Sequence, residues 1–253
     1  MFLPRGGEGG ARCAAAGPRE GQPAPEVMIE LSFAAANPRL TVAEAIALQE
    51  RARSLVIRRD AFGKVKHVAG ADVAFDIAGR RAYAAVIVFR FPVLEEVERS
   101  WVCRPITFPY VPGLLAFREA PAVADAIAGL HIRPDLLLVD GQGYAHPRRC
   151  GLASHLGLAL DLPTIGCAKS ILIGEHGELG QQRGSVVPLR DRGEVVGAAL
   201  RTRTAVRPVY VSVGHRISLP SAIRFVLDCG DGFRVPKPTR LADQVVGELK
   251  IRN

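Results

Sequence analysis

Nowhere does the chain of 253 residues carry an uninterrupted apolar run of the roughly 18 residues that a membrane helix needs, so an integral helical membrane protein is excluded. Its N-terminus lacks the apolar core of a signal peptide, and secretion is not expected. The five cysteines, Cys13, Cys103, Cys150, Cys167 and Cys229, are an odd number, widely scattered, without a CxxC pair. They fit neither a disulfide framework nor a zinc site, and a reducing cytoplasm is the expected compartment. Also missing are GxxxxGK(S/T), GxSxG, HExxH and GxGxxG. A P-loop, a serine-hydrolase elbow, a zinc-protease helix and a dinucleotide fingerprint therefore have no support. Gly141-Gln142-Gly143 is too short to count as the last.

Hydrophobic residues make up 48% and charged residues 23%, close to the globular average, which excludes wholesale disorder. Lysine and arginine number 33 against 25 acidic residues, a net charge of +8. That surplus suggests a polyanionic partner: nucleic acid, an acidic membrane or a phosphorylated ligand. Residues 1–27 are dominated by Gly, Ala and Pro, with three Arg balanced by three Glu. They cannot bury enough apolar surface to offset their ordering entropy. They read as a flexible tail, or as translated sequence ahead of a start at Met28, with residues 28–253 forming one domain that holds the whole surplus.

Thr41-Val42-Ala43-Glu44 has a capping-box pattern, and Val42, Ala45, Ile46, Ala52, Leu55 and Val56 recur at helical spacing. A helix over 42–58 is predicted. Strand-like runs follow at 67–76, 81–90 and 95–104, joined by links short enough only for antiparallel neighbours. A helix over 114–130, which Pro121 kinks or divides, precedes the apolar strand Leu136-Leu137-Leu138-Val139, which ends at Asp140. A helix over roughly 149–160, a strand at 164–167, strands at 194–202 and 208–213 and a helix at 221–229 complete the domain. The Pro-rich, basic stretch 231–240 is expected to wrap the surface. Three antiparallel strands running into a parallel strand-helix-strand unit is the order of a ribonuclease H-like fold, an α/β class with a central mixed sheet flanked by helices. In such a sheet ligands gather at the carboxyl ends of the parallel strands.

Asp72 stands inside the otherwise apolar Gly70-Ala71-Asp72-Val73-Ala74-Phe75, Asp140 ends an apolar strand, and Glu119 lies on the helix between them. If the two strands are neighbours, the aspartates come close, and like charges at that range repel unless a cation lies between them. Oxygen-only ligands suit Mg²⁺ or Mn²⁺. Without a metal, the same residues are a bulge carboxylate and an ordinary turn cap. Lys169, after the strand end Gly166-Cys167-Ala168, can hold a phosphate or offset the carboxylates; alone it is a solvated strand-end lysine. His215, in Gly214-His215-Arg216, can orient water or contact a phosphate, and is equally an ordinary surface histidine. Pro109-Tyr110-Val111-Pro112-Gly113 is a stiff turn carrying one aromatic, suited either to wedging between bases or to packing on its own domain. His146-Pro147-Arg148-Arg149 concentrates charge before a helix N-terminus, where backbone amides attract phosphate, and His155 falls later in that helix.

Together these stretches resemble the endonuclease V family. The matching segments are Gly70-Ala71-Asp72-Val73, the Pro109–Gly113 turn with Phe117-Arg118-Glu119, Val139-Asp140-Gly141-Gln142-Gly143, His146-Pro147-Arg148-Arg149, Gly151-Leu152-Ala153-Ser154-His155, Pro163–Lys169 and Gly214-His215-Arg216, in order over about residues 40–243. The resemblance implies a ribonuclease H-like fold and a nuclease initiating DNA repair. It would hydrolyse the second phosphodiester bond 3′ to deoxyinosine, leaving 3′-hydroxyl and 5′-phosphate ends. It implies that Asp72, Glu119 and Asp140 hold Mg²⁺, with Mn²⁺ also active, and that Lys169 and His215 act near the scissile phosphate. Tyr110, flanked by Pro109 and Pro112, would be the wedge that fills the gap left by a flipped base, with His146 and Arg148 also on the DNA. Gly113, Leu115, Gly141, Gly166 and Leu172 would line the base pocket. Its partners would be DNA containing deaminated bases or inosine-containing RNA, with no membrane, and a monomer is expected. Gln142 replaces the family's usual histidine and Cys167 its usual valine or alanine, and neither change removes a ligand. Rival readings are an inosine-specific ribonuclease, a junction resolvase on the same fold, a non-catalytic nucleic-acid binder, which would lack a carboxylate, and an actin-like ATPase or sugar kinase, which needs Gly- and Thr-rich phosphate hairpins that Asp72-Val73-Ala74-Phe75 does not supply.

Overall fold

The structure, a computed structural model, describes residues 39–252, so the 1–27 tail and the Met28 start lie outside the described residues. Helix α1 (Val42–Ala52) opens on the expected box: the Glu44 amide donates to Thr41 Oγ1 at 3.2 Å while the Thr41 amide donates to Glu44 Oε2 at 2.8 Å. The helix is shorter than its periodicity suggests, because the chain tightens into a 3-10 turn at Arg53–Leu55 and becomes extended at Val56.

Strands β1 (His67–Asp76), β2 (Arg81–Arg90) and β3 (Glu95–Pro105) form the predicted antiparallel meander. Helix α2 (Leu115–Ala128) follows, then β4 (Leu136–Val139), α3 (Leu152–Leu160) and β5 (Thr164–Ala168). Pro121 lies inside α2 without dividing it. The buried stripe Ala116, Ala120, Val123 and Ala126 lies against Ala69, Ala71, Val86 and Val88 of the sheet, and this packing carries the helix past the missing amide. Helix α3 starts at Leu152 rather than near 149, because Arg149 takes a left-handed φ of 57° and Gly151 caps the helix in extended conformation.

The remaining elements are β6 (Val186–Asp191), β7 (Glu194–Leu200), β8 (Val209–His215), α4 (Leu219–Asp228) and α5 (Lys237–Arg252). The sheet has eight strands in the order β3-β2-β1-β4-β5-β8-β7-β6. Only β1, β4 and β5 pair in parallel, and β8 runs antiparallel to β5. This is the mixed sheet of a ribonuclease H-like fold. Leu136, Leu137, Leu138 and Val139 are all buried, as a strand covered on both faces requires, and each contributes roughly 2 kcal/mol of burial.

Two elements escape the sequence reading. Strand β6 contains Pro188, and such a strand survives only at the sheet edge, where it stands. The stretch 231–240 was expected to wrap the surface; instead Lys237 and Pro238 open α5, since proline is tolerated in a first helical turn. Helix α5 packs on β1 and β2, and Gly70 lets it come that close. A Cβ at Gly70 would lie 2.1 Å from the Pro238 carbonyl carbon. Gly70→Ala is therefore expected to lower stability by about 2 kcal/mol or more, read as an earlier midpoint in urea. An unchanged midpoint would show that α5 does not depend on this contact.

Candidate active site

The parallel register of β1 and β4 sets Ala71 beside Val139, so the next residues, Asp72 and Asp140, emerge together at the carboxyl end of the sheet. The Asp140 amide donates to the Ala71 carbonyl at 3.3 Å, holding the two ends side by side. Glu119 reaches the same place from α2 and is buried. A fourth carboxylate, Asp243 on α5, lies beside them: it pairs with Lys169 at 3.4 Å, and its charge adds to the upward push on Asp72 and Asp140.

Burial foremost, then the Asp140 charge, push the Asp72 carboxyl up to about 8. Burial, then the charges of Asp72 and Asp140, push Glu119 up to about 8 as well. Asp140 is also raised by burial, although Lys169 opposes the shift. The Lys169 ammonium lies 2.5 Å from Asp140 Oδ2 and 3.4 Å from Asp243 Oδ2. Burial alone would lower Lys169, but its acidic neighbours raise it, so it stays charged. Among the described residues, no three His, Cys, Asp or Glu side chains close around one point as they stand. The donor set is nonetheless all oxygen, partly desolvated and strained by like charge, and it fits a hard divalent cation by chemistry.

His215 is not brought to this site. Strand β8 is antiparallel to β5 and sets His215 opposite Thr164, at the amino end of β5, whereas Lys169 follows its carboxyl end. About five residues of strand, roughly 16 Å, separate the two. His215 is buried there: its Nδ1 accepts from the Ile57 amide at 3.3 Å, and burial pushes its pKa down to about 4. It is a neutral structural residue at the far pole. Near it, a cavity of about 290 Å³ is lined by Phe62, Lys64, Arg133, Asp161 and Arg216, remote from the carboxylates.

Tyr110 is 71% exposed on the stiff turn between Pro109 and Pro112. His146 and Arg148 lie behind that turn and face inward rather than toward solvent. His146 Nε2 is 2.9 Å from the Gly113 carbonyl oxygen, and Arg148 Nη2 donates to the same oxygen at 2.6 Å. Burial foremost pushes His146 down to about 4, so it is neutral and adds no positive charge for phosphate. Leu115, which opens α2 just after the turn, and Leu172 are both exposed. Gly166 is buried, and a Cβ there would lie 2.5 Å from the Gly143 amide nitrogen, so its empty side-chain space is filled by the 141–143 loop. Gly141 has only Leu152 within ordinary contact distance of such an atom. His155 is buried on α3, edge-on to Phe117 with ring centroids 5.0 Å apart.

Asp243 is the residue that the sequence reading missed. Leu241, Ala242, Val245 and Val246 repeat at helical spacing around it, a signal masked by the prolines and basic residues just upstream.

The sequence model of the endonuclease V family matches residues 50–244. An endonuclease V of Roseiflexus sp. is 55% identical over 211 residues, covering 83% of this chain and 94% of that protein. The crystal structure of an endonuclease V from Streptomyces avermitilis superposes with a TM-score of 0.82 at 41% identity, covering 86% of this chain and 96% of that one. A Ciona intestinalis endonuclease V in complex with a 24-mer DNA containing an inosine followed by a ribo-adenosine superposes with a TM-score of 0.73 at 29% identity, covering 84% of this chain and 99% of that one.

The raised Asp72 pKa fixes the sign of a pH effect. The unfolded chain ionises Asp72 near 3.8 while the folded site holds the proton up to about 8, so folding stability falls as pH rises through that window. In chelator, Asp72→Asn is expected to raise stability at pH 8 by at least about 1 kcal/mol, roughly 3 °C in melting temperature, with the gain shrinking toward pH 4. A variant equally or less stable than the parent at pH 8 would contradict the cost of ionising Asp72 in this buried, acidic site.

Proposed function

The chain belongs to the endonuclease V family, a family of nucleases that hydrolyse phosphodiester bonds, and from that premise we propose that it cuts DNA 3′ to deoxyinosine. The observation that carries this reading is the convergence of Asp72 and Asp140 just past the last paired residues of the parallel strands β1 and β4, with Lys169 against Asp140. The inosine-containing DNA bound by the Ciona relative supports deaminated DNA as the substrate. Cleavage at the second phosphodiester bond 3′ to the lesion would leave 3′-hydroxyl and 5′-phosphate ends and open the strand for repair. The scattered cysteines, free among the described residues, suit a reducing cytoplasm.

Asp72 and Asp140 would hold Mg²⁺, or Mn²⁺, with Glu119 and Asp243 beside them, Asp140 exchanging its lysine contact for the ion. Such an ion supplies Lewis acidity, easing deprotonation of water and neutralising charge on the phosphate. Without the ion, burial and the neighbouring aspartates push the Glu119 carboxyl up to about 8, and a cation between the aspartates would lower it again. Lys169, once freed from Asp140, would hold a non-bridging phosphate oxygen. Tyr110 would enter the duplex as the base leaves the stack. That extrusion costs a few kcal/mol, less at a mismatched inosine pair, which contributes to selectivity. His215, at the far pole, takes no part in this scheme.

An end-labelled duplex with one deoxyinosine is expected to be nicked one nucleotide beyond the lesion on its 3′ side with Mg²⁺, not with EDTA, and not by Asp140→Ala, which still binds it. Full activity of Asp140→Ala would remove the metal assignment. Tyr110→Ala is expected to weaken binding to inosine duplex about tenfold, the scale of one base-stacking contact, while sparing flexible single strands. Equal losses on both would count against a wedge. An inosine-specific ribonuclease is the second reading, favoured by the ribonucleotide that follows the inosine in the Ciona complex. Cutting of inosine-containing RNA but not DNA in the same assay would select it.

A further inference from the structure

Gln49 lies on α1, more than fifty residues upstream of the Pro109–Gly113 turn, and it is fully buried among the apolar residues Ala45, Leu48 and Ala52. A buried amide must have both ends paired, or its desolvation is uncompensated. Gln49 does so by spanning the segment behind the turn: its Nε2 donates to the Cys150 carbonyl at 2.9 Å and its Oε1 accepts from Arg148 Nε at 2.6 Å. Arg148 also reaches the Gly113 carbonyl, to which Nη2 donates at 2.6 Å. With Nε and Nη2 both engaged, the guanidinium plane is fixed.

The second support of the Gly113 carbonyl comes from His146, whose ring nitrogens are both used. Nδ1 accepts from the Arg148 amide at 3.2 Å, which leaves Nε2 to carry the proton and donate to Gly113. The carbonyl thus receives two donors, and both rest on the segment that Gln49 ties to α1. Gly113 itself is constrained: its φ is +78°, and a Cβ there would lie 2.9 Å from Arg148 Nη2. The turn is closed by the Leu114 amide donating to the Val111 carbonyl at 2.9 Å, and Tyr110 projects from it into solvent.

We infer that Gln49 is a positioning residue for Tyr110: through Arg148 it clamps the Gly113 carbonyl and so sets the direction in which the aromatic enters a duplex. The inference rests on the wedge reading above. A pre-set turn spends no binding energy on ordering itself when it meets DNA. Loss of Gln49 frees the Arg148 side chain, removes one of the two donors on Gly113 and lets the turn sample other directions. The affected quantity is duplex affinity, because the carboxylates and Lys169 belong to other elements.

The test measures dissociation constants in EDTA for a fluorescein-labelled deoxyinosine duplex and for the corresponding single strand. It compares the parent protein with Gln49→Met, Gln49→Glu, Tyr110→Ala and the Gln49→Met/Tyr110→Ala double variant. Gln49→Met, similar in shape but unable to accept from Arg148, is expected to weaken duplex binding about tenfold, the effect of one charge-assisted hydrogen bond, and to leave the single strand unchanged. Gln49→Glu keeps the acceptor for Arg148 while losing the donation to the Cys150 carbonyl, so it is expected to bind the duplex more tightly than Gln49→Met, and an equal loss in the two variants would show that the Arg148 bond does not carry the positioning. In the Tyr110→Ala background Gln49→Met is expected to add nothing, because there is no ring left to aim. An unchanged duplex constant for Gln49→Met, an equal loss on single strands, or an additive loss in the double variant overturns the inference while leaving the wedge intact. A Tyr110→Ala variant that binds duplex normally overturns the wedge itself, a distinct result. If circular dichroism shows Gln49→Met unfolded, Arg148→Lys carries the same test. Its single ammonium cannot reach Gln49 and Gly113 together, so the same pattern is expected and the same outcomes refute it.

Discussion

Burial of carboxylates that also repel one another is the constraint around which the rest of the molecule is arranged. Asp72, Asp140 and Glu119 share one partly desolvated region with Asp243 beside them; burial first, and the charges of neighbouring carboxylates second, push the first three upward. No local preference of the chain would assemble them; the energy to hold them together comes from elsewhere. The apolar strand β4, covered on both faces, locks its register against β1, and the alanine-lined face of α2 lies against the same strands. Lys169 then relieves part of the strain by pairing with Asp140 and Asp243. A site strained in this way favours binding of a cation over ionisation without one, which is the property a metal-assisted nuclease requires.

Strand polarity decides which residues can take part. Carboxyl ends of β1, β4 and β5 point to one pole, and Asp72, Asp140 and Lys169 gather there. Strand β8 runs the other way and delivers His215 to the opposite pole, against Thr164. A histidine that looks suited to phosphate chemistry by its neighbours is thus removed from it by the direction of one strand. The stiff turn bearing Tyr110 is anchored by the buried, neutral His146 and the half-buried Arg148, rather than by its prolines alone.

The chain's own pattern specified a great deal. The three meander strands, the apolar run before Asp140, the capping box at Thr41 and the exposed aromatic turn are all local signals, and local signals survive in one dimension: period two for strands, a polar cap before a helix, proline and glycine at turns. Asp72, Glu119, Asp140 and Lys169 could be picked out because each is a charged residue at the end or in the middle of an apolar segment. What only the tertiary structure decided is which of these meet. Asp243 joins them because Gly70 lets α5 lie against β1, a contact between residues far apart in sequence. His215 leaves because the order β5-β8 reverses direction, and Gln49 reaches the turn only through Arg148. Helical and strand periods are properties of neighbouring residues, whereas proximity across a sheet depends on strand order, direction and close approach of backbones, and none of these is written in a local pattern.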